Sequence, residues 1–429
     1  MLIERTHPTN REPDMHQSRR TPATTRFHST SSPSRLTDCF ELKLTSPLID
    51  PDCSWGHVAA VAKVSPNHGS NLPYALAEIR VADPYVDADP ATHRTVNAYI
   101  AGIEDRLRLD GFDPTVDRVE AMDSSEWNPY TKAWLRSKPV EGLAVWRTMV
   151  PSAEALLYLT NPQVGTVISN RRGDTATISP ETVAHFRFGD DAIGIRDRGV
   201  AMGYLLADHF AQQGGSAPLD VLSLASGTAD PVIGAAQRAV ELTGRAIRLT
   251  VADIDGRALS MVRNNAVRQG FGGAVRTIRT NILDPALPDV LERDTGVAHF
   301  DLVENMGFEE YLPEDGDELG AFRGRGLPQA SAFTRRAFDL VKPGGALLSG
   351  NMVLDRTQSD FVFGVVDWPL INARSEASIM RVYERAGLLG DPTVKIEMFR
   401  VRNASAGTHL YNIVKATKPD TSTRPARVP

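Results

Sequence analysis

The sequence predicts an α/β protein whose second half forms a parallel sheet with helices on both faces. Three observations predict this fold. Short apolar runs alternate with helical segments after Pro218, which is typical of a parallel sheet built from strand and helix units. A loop of small residues, 225–229, follows the first of these strands. The chain then closes with two strands, 394–401 and 410–416, that are joined by a polar turn and predict an antiparallel hairpin.

The composition is that of an ordinary globular protein, with 41% hydrophobic and 23% charged residues among 429. The net charge is −6, and acids and bases are interspersed, so no basic face predicts nucleic acid as a partner. No apolar segment is long enough to cross a bilayer. Because Cys39 and Cys53 are the only cysteines, we expect no disulfide framework, no cysteine-based zinc site and a cytoplasmic protein.

Composition and apolar spacing divide the chain into four parts. Residues 1–39 are rich in Arg, Ser, Thr and Pro and are expected to form a disordered leader. Residues 40–195 show helical spacing, most clearly at 91–109, and predict a mostly helical accessory or cap region. The α/β domain is expected over 196–417, and the polar residues 418–429 are expected to form a disordered tail.

Local signals place the elements in chain order. Ser179 and Pro180 form a helix cap with proline at the first helical position, and Gly214 with Gly215 ends the helix whose apolar face lies within 199–210. Apolar runs and their spacing give the rest. Strands are expected at 221–224, 247–252, 275–279, 300–304 and, after a turn at 342–345, 346–349; helices are expected at 233–242, 258–269, 330–340 and 375–386.

The first strand, its loop and the end of the second strand describe a nucleoside-binding crevice. Ala225, Gly227 and Ala229 leave little bulk on the loop, so a ligand can approach its backbone, and the next helix presents free N–H groups there. Asp253 ends the second strand, where a carboxylate accepts hydrogen bonds from the two ribose hydroxyls. Taken alone, the loop also fits a packing turn of small residues.

With these motifs, residues 196–417 resemble the class I S-adenosylmethionine-dependent methyltransferases, whose Rossmann-like sheet has seven strands and a terminal antiparallel hairpin. The resemblance implies S-adenosylmethionine as the cofactor. Its methionyl part would contact the small-residue loop, its ribose Asp253 or Asp255, and its adenine the residues after the third strand. The cofactor-binding residues so implied are Ala225, Ser226, Gly227, Ala229, Asp253, Ile254, Asp255, Asn281, Ile282, Glu304 and Asn305.

The resemblance has two departures and one refinement. Ser223 stands where many members have an acidic residue, and alanines replace glycines at 225 and 229, so we expect altered cofactor affinity rather than a different cofactor. The segments 301–312, 350–352 and 367–374 look like a bacterial subgroup that includes proteins linked to methyl ester formation on hydroxylated fatty acids.

Methyl transfer from a sulfonium is an in-line displacement, so the protein chiefly aligns donor and acceptor. A base is needed only when the acceptor must lose a proton. Candidate catalytic residues are Glu304 and Asn305, after the fourth strand, and His185; the alternatives are turn stabilisation for the first two and a partly buried neutral histidine for the third. Arg196 or Arg198 could pair with the cofactor carboxylate, and either also fits a surface role. The acceptor pocket is expected to include Tyr311, Asn351, Asp367 and Trp368, with packing as the alternative for Trp368.

The sequence therefore predicts an S-adenosylmethionine-dependent methyltransferase for a small-molecule or lipid-like acceptor. Two alternatives stay open: an NAD(P)-dependent oxidoreductase on a Rossmann sheet, and a non-catalytic protein that keeps the methyltransferase fold. No metal is implied, and the oligomeric state is open.

Overall fold

A mixed sheet of nine strands organises the chain. The computed structural model describes residues 56–63, 72–114, 117–118, 124–137, 140, 142–225, 227–314, 327–369 and 371–420. The expected leader 1–39 and residues 421–429 of the expected tail lie outside this part. The strands are β1 (His57–Lys63), β2 (Ala75–Ala82), β3 (Val167–Ser169), β4 (Thr175–Thr177), β5 (Leu219–Leu224), β6 (Ile247–Asp253), β7 (Val275–Arg279), β8 (Phe300–Met306), β9 (Val341–Met352), β10 (Lys395–Asn403) and β11 (His409–Thr417).

The helices lie on both faces of the sheet and across one of its ends. They are α1 (Pro84–Ala88), α2 (Pro90–Leu109), α3 (Pro129–Leu135), α4 (Leu143–Arg147), α5 (Ala153–Thr160), α6 (Pro180–Phe188), α7 (Asp190–Gln212), α8 (Asp230–Thr243), α9 (Gly256–Arg268), α10 (Leu287–Thr295), α11 (Ala330–Asp339), α12 (Ser359–Phe361) and α13 (Glu376–Arg385). The cap predicted at Ser179 is present, since its Oγ accepts a hydrogen bond from Thr182 N at 3.2 Å. No helix in the described part of the chain is long and apolar enough to span a membrane.

The strand order is β1-β2-β10-β11-β9-β8-β5-β6-β7. Strands β5 to β9 run parallel to one another, and β11 is antiparallel to both of its neighbours, β9 and β10. The chain moves from β5 outward through β6 to β7 and then returns to the other side of β5 with β8. Ligands bind at such a switch point in open α/β sheets, outside the carboxyl ends of the strands.

The expected α/β fold with its terminal hairpin is confirmed, but the sheet is larger than seven strands. The additional strands are β1 and β2, from a segment to which the sequence assigned no element. β2 pairs in parallel with β10, from Glu397 opposite Ala75 to Asn403 opposite Val81. The accessory region is thus continuous with the sheet at this edge, in addition to contributing helices.

The glycine-containing turn predicted at 342–345 is a bulge within β9 instead. Phe300 pairs with Val341 and Leu302 with Ala346, so β9 carries extra residues between two paired positions. Gly344 has φ +79°, a left-handed conformation that glycine adopts without steric cost, and this lets the strand continue past the bulge.

Apolar side chains form three buried clusters. Two cover the opposite faces of the parallel strands. The third joins the accessory helices to residues 352–373 and 410–411 of the α/β domain, including Trp134, Trp146, Phe363 and Trp368. Burial of this apolar surface, worth roughly 25 cal/mol per Å², fixes the accessory region over the carboxyl end of the sheet.

Candidate functional site

A cavity of about 590 Å³ opens at the carboxyl ends of β5, β6 and β8, at the switch point of the sheet. Its volume is in the range of small-molecule sites in proteins. One end is lined by residues that follow β5, β6 and β7, and the other by α7, the 3₁₀ turn Glu309–Tyr311 and aromatic side chains. Of the predicted cofactor-binding residues, those that line the cavity are Ala225, Gly227, Asp253, Ile254, Asp255, Asn281 and Ile282.

The loop after β5 is tightly wound. Ala225, Gly227 and Ala229 have φ values of 50°, 61° and 53°, all in the left-handed region. This conformation costs a residue with a Cβ roughly 1–2 kcal/mol, so the two alanines occupy a backbone that glycine adopts more easily. Ala229 is buried beneath the loop and does not line the cavity, and Ser226 lies outside the described residues. No side chain caps α8, and Thr228 and Pro231 at its start line the cavity.

The two aspartates after β6 have different tasks. Asp255 is the N-cap of α9: its Oδ1 accepts from Arg257 N at 2.9 Å, and its other oxygen pairs with Arg171. Burial opposes ionisation of Asp255, but the Arg257 hydrogen bond and the Arg171 charge bring its pKa below the usual value. Asp253 is held by a 2.8 Å hydrogen bond from Asp255 N to its Oδ1, and burial raises its pKa. Asp253 is therefore the carboxyl that is left to accept hydrogen bonds from a ligand.

Next to Asp253, the wall of the cavity between the ends of β6 and β7 is apolar. Ile254 keeps 37% of its surface exposed at the cavity, and Ile282 and Leu283 follow β7 on the other side. Asn281 uses its Oδ1 to accept from Leu283 N at 3.1 Å, which shapes the turn between them. These side chains can enclose a flat apolar ring system.

Glu304 and Asn305 do not line the cavity, contrary to the sequence-based expectation. Both are fully buried within β8. Glu304 Oε2 accepts from Ser223 Oγ at 2.6 Å, at the paired position of β5, and Asn305 Oδ1 lies 3.2 Å from Ser349 Oγ of β9. Each of these two side chains lies on a face of the sheet, where it contacts the residue paired with it on the neighbouring strand. Both therefore link strands and do not reach the cavity. The carboxylate missing at Ser223 is thus supplied to the same layer by Glu304.

His185 also lies outside the cavity and is buried beside three aromatic side chains. Its ring contacts Tyr99, Trp134 and Phe361, at centroid distances of 5.4–5.8 Å. Burial lowers the pKa of His185 to about 3, and neither ring nitrogen has a hydrogen-bond partner within the described residues. The structure gives this neutral histidine a packing position, not that of a base in the cavity.

Three charged side chains line the far end of the cavity: Glu310, Arg198 and Asp191, whose carboxylate pairs with Arg356. Glu310 Oε2 accepts from Met352 N at 2.8 Å, and Arg198 Nη1 lies 3.6 Å from Glu310 Oε1. The Arg198 guanidinium also stacks over the Tyr411 ring, 4.4 Å from its centroid. Both charged groups are almost fully buried: 2% of the surface of Glu310 is exposed, and 5% of that of Arg198.

Several lining residues carry no local signal in the sequence. Pro151, Ser152, Ala153 and Leu156, at the start of α5, close the cavity over the small-residue loop. A Cβ on Gly227 would lie 3.3 Å from Ala153 Cβ, which shows how closely α5 approaches the loop. Of the expected acceptor-pocket residues, Tyr311 and Trp368 line the cavity and Asn351 and Asp367 do not. Arg196 pairs with Asp83 at 2.7 Å, away from the cavity.

No family model matches the chain, and no curated protein matches it in sequence. Several solved structures do match it. An O-methyltransferase family protein from Burkholderia thailandensis is 18% identical, with a TM-score of 0.37; the match covers 56% of this chain and 62% of that one, less than two thirds of its length. A possible exported protein from Bordetella parapertussis is 18% identical over 77% of this chain and 99% of that one, with a TM-score of 0.44. An O-methyltransferase from Bacillus cereus, in complex with SAH, is 17% identical over 51% of this chain and 81% of that one, with a TM-score of 0.32.

The order and direction of the central strands identify the fold. From β7 to β10 their order is β7-β6-β5-β8-β9-β11-β10, with β11 alone running antiparallel to the others. A ligand cavity lies where the order reverses beside β5. With this strand order and its terminal hairpin, the chain has the fold of the class I S-adenosylmethionine-dependent methyltransferases.

Proposed function

We propose that the chain is an S-adenosylmethionine-dependent methyltransferase that acts on a small-molecule acceptor. One observation carries the proposal: a single cavity joins a tight loop, the partly buried Asp253 and an apolar slot at one end to a buried acid–base pair at the other. The first end has the chemistry to hold a nucleoside with an amino-acid tail, and the second end has room for an acceptor beside it.

The residues at the nucleoside end fit S-adenosylmethionine. Asp253 can accept from both ribose hydroxyls, and Ile254, Ile282 and Leu283 can enclose the adenine. The exposed backbone of Ala225 and Gly227, with the uncapped start of α8, can hold the methionyl part. When bound, the cofactor supplies a methyl group already activated on a sulfonium.

The chain's own residues then align the acceptor and exclude water. Aromatic and aliphatic side chains at the far end, among them Phe308, Tyr311 and Trp368, offer an apolar surface for the acceptor. Trp368 Nε1 donates to the Tyr311 hydroxyl at 3.0 Å, which fixes both rings. Holding two reactants in line in this way can lower a barrier by about 7–11 kcal/mol.

Isothermal titration calorimetry tests the proposal. We expect S-adenosylhomocysteine to bind and NAD to give no heat of binding. Binding of NAD with no response to S-adenosylhomocysteine would favour the oxidoreductase alternative, and cofactor binding without turnover of any acceptor would favour the non-catalytic one.

Asp253→Ala should weaken the binding of S-adenosylhomocysteine by roughly 1–3 kcal/mol, because the ribose hydroxyls lose their buried partner. Asp255→Asn is the matched control. Asparagine caps a helix about as well as aspartate, so α9 should keep its first turn and the affinity should change by less than about 1 kcal/mol. A larger loss in Asp255→Asn than in Asp253→Ala would transfer the ribose role to Asp255.

A further inference from the structure

Glu310 presents one carboxylate oxygen to the cavity and has the other fixed. Oε2 accepts from Met352 N at 2.8 Å, and Asn372 N donates to the Glu310 carbonyl at 2.7 Å, so both the side chain and the backbone are anchored. Oε1 has Arg198 Nη1 as a charged neighbour at 3.6 Å, beyond hydrogen-bond distance. Glu310 is thus a rigid carboxyl whose Oε1 is available to a bound molecule.

The groups around Glu310 adjust its ionisation. Arg198 of α7 and, farther away, Arg356 and Arg374 stabilise the ionised form of Glu310. The neighbouring Tyr311 and Tyr411 are uncharged, because burial raises the pKa of each phenol. Burial outweighs these cations and raises the pKa of Glu310 to about 7. A carboxyl with this pKa is a far stronger base than an exposed glutamate and is half ionised near neutral pH.

The surroundings favour a hydroxyl over a carboxylate as the group that Oε1 meets. Arg198 Nε and Nη1 are enclosed by protein, so the guanidinium does not present a free fork to an acceptor carboxylate. Its charge is balanced by Glu310, Asp191 in the same lining is paired with Arg356, and an anionic acceptor would add a further negative charge to this pocket. The nearby lining is mostly apolar: Leu156, Ile195, Phe308, Tyr311, Trp368 and Ile371.

We propose that Glu310 is the general base of this site and that the acceptor is a neutral, largely apolar and aromatic-sized molecule with a hydroxyl group. This inference rests on the proposed methyltransferase function. In the step, the hydroxyl proton passes to Glu310 Oε1 while the acceptor oxygen forms a bond to the methyl carbon. The carbon–sulfur bond breaks, and its electron pair stays on sulfur. The products are a methyl ether, neutral S-adenosylhomocysteine and protonated Glu310, which then releases its proton to solvent.

The test uses the full chain, S-adenosylmethionine with a tritium-labelled methyl group, and three probes that share a naphthalene ring. The probes are a naphthol, the naphthoic acid and the naphthylmethylamine substituted at the same ring position. We expect label transfer to the naphthol above all. Its rate should rise with pH and level off above about pH 7, because Glu310 accepts a proton only when ionised.

Glu310→Gln should lower the rate on the naphthol by about 100- to 10,000-fold and abolish the rising limb of the pH profile. Glu310→Asp should restore part of the rate and the limb, which a merely structural role of Glu310 would not produce. Glu304→Gln is the matched control. Glu304 is equally buried and burial also raises its pKa to about 7, but it lies off the cavity, so this variant should keep the limb.

The results distinguish failure of the Glu310 inference from failure of the proposed methyltransferase function. A rate on the naphthoic acid that exceeds that on the naphthol and falls as pH rises would show that protonated Glu310 admits an anionic acceptor, and would overturn the inference. So would preference for the amine, a limb that survives in Glu310→Gln, or no transfer to any probe by a protein that binds S-adenosylhomocysteine. If S-adenosylhomocysteine itself does not bind in calorimetry, the proposed function fails and the inference falls with it.

Discussion

Gly307 is the residue that allows Arg198 and Glu310 to meet. It follows β8 with φ +98°, and a Cβ at this position would overlap Arg198 Nη1 and lie 2.9 Å from Glu310 Oε1. Because both neighbours are buried, an added Cβ would displace the end of the Arg198 side chain from its place beside Glu310. Glycine is therefore favoured at position 307 for two reasons: its backbone conformation, and the space that Arg198 and Glu310 occupy beside it.

We predict that Gly307→Ala lowers turnover by at least about 10-fold by separating this pair, since displacing a catalytic group by about 1 Å can cost about 100-fold. Gly296→Ala is the control. Gly296 also has a positive φ, +74°, but a Cβ there meets no atom within 4 Å. Both variants should lose roughly 1–2 kcal/mol of stability from backbone strain. Equal turnover in the two variants, measured at saturating cofactor, would show that the contact at Gly307 has no functional role.

The small-residue loop after β5 shows how much a local motif can predict. Glycine-like positions at 225, 227 and 229 were expected to let a ligand approach, and all three adopt left-handed backbone. Ala225 and Gly227 line the cavity, but Ala229 is turned into the core. The pattern of small residues therefore predicts the turn, while which of its members face a ligand depends on the helix that packs beneath it.

At the scale of elements, the β3–β4 hairpin contacts the start of α9 beside the cavity. Arg171, between the two strands, pairs with Asp255 at the start of α9. The two side chains retain 35% and 21% of their exposure. A partly exposed ion pair of this kind contributes at most about 1 kcal/mol. It can still influence how fast a ligand leaves, because it joins the accessory region to the helix beside the ligand.

Arg171→Ala should therefore speed the dissociation of S-adenosylhomocysteine by up to about 5-fold, with a smaller effect in high salt, where such pairs are screened. Arg172→Ala removes the adjacent exposed charge and serves as the control. Stopped-flow displacement measures both rates. Identical rates in the two variants would show that the Arg171 pair does not retard ligand release.

Elements with strong local signals were predictable from the sequence, and those held by distant partners were not. β7 and the cap at Ser179 match the prediction because apolar runs and capping side chains act within a few residues. β1 and β2 gave no such signal, since β2 is defined by its pairing with β10, which lies over 300 positions along the chain. The same reason explains the site: Asp253 follows a strand signal, whereas Arg198 and Glu310 meet only after folding.

At the scale of the whole molecule, the fold keeps several carboxyls out of water. Burial raises the pKa of Asp190 to about 6, and of Glu304 and Glu310 to about 7. Each of these groups binds a proton more tightly in the folded chain than in the unfolded one. The contribution of such a group to stability is present below its unfolded pKa and is lost as pH rises through its folded pKa. The protein therefore gives up stability near neutral pH to hold these groups.

Glu304 allows this cost to be measured apart from the cavity. Its Oε2 is bound by Ser223 Oγ, and Oε1 has no hydrogen-bond partner within the described part of the chain, so glutamine can replace it with the Ser223 bond retained. Burial raises its pKa from 4.5 to about 7. Wild type should consequently lose on the order of 3 kcal/mol relative to Glu304→Gln as pH rises from about 4.5 to above about 7.

Urea unfolding of both proteins at about pH 5 and about pH 8 gives this difference directly. Glu304→Gln is expected to gain in stability over wild type at the higher pH and much less at the lower one. The opposite sign would mean that a cation near Glu304 favours its charged form in the fold. A difference that does not change with pH would mean that Glu304 ionises in the fold as readily as in the unfolded chain. Only the expected sign agrees with a carboxyl whose protonated form is favoured by its burial between β5 and β8.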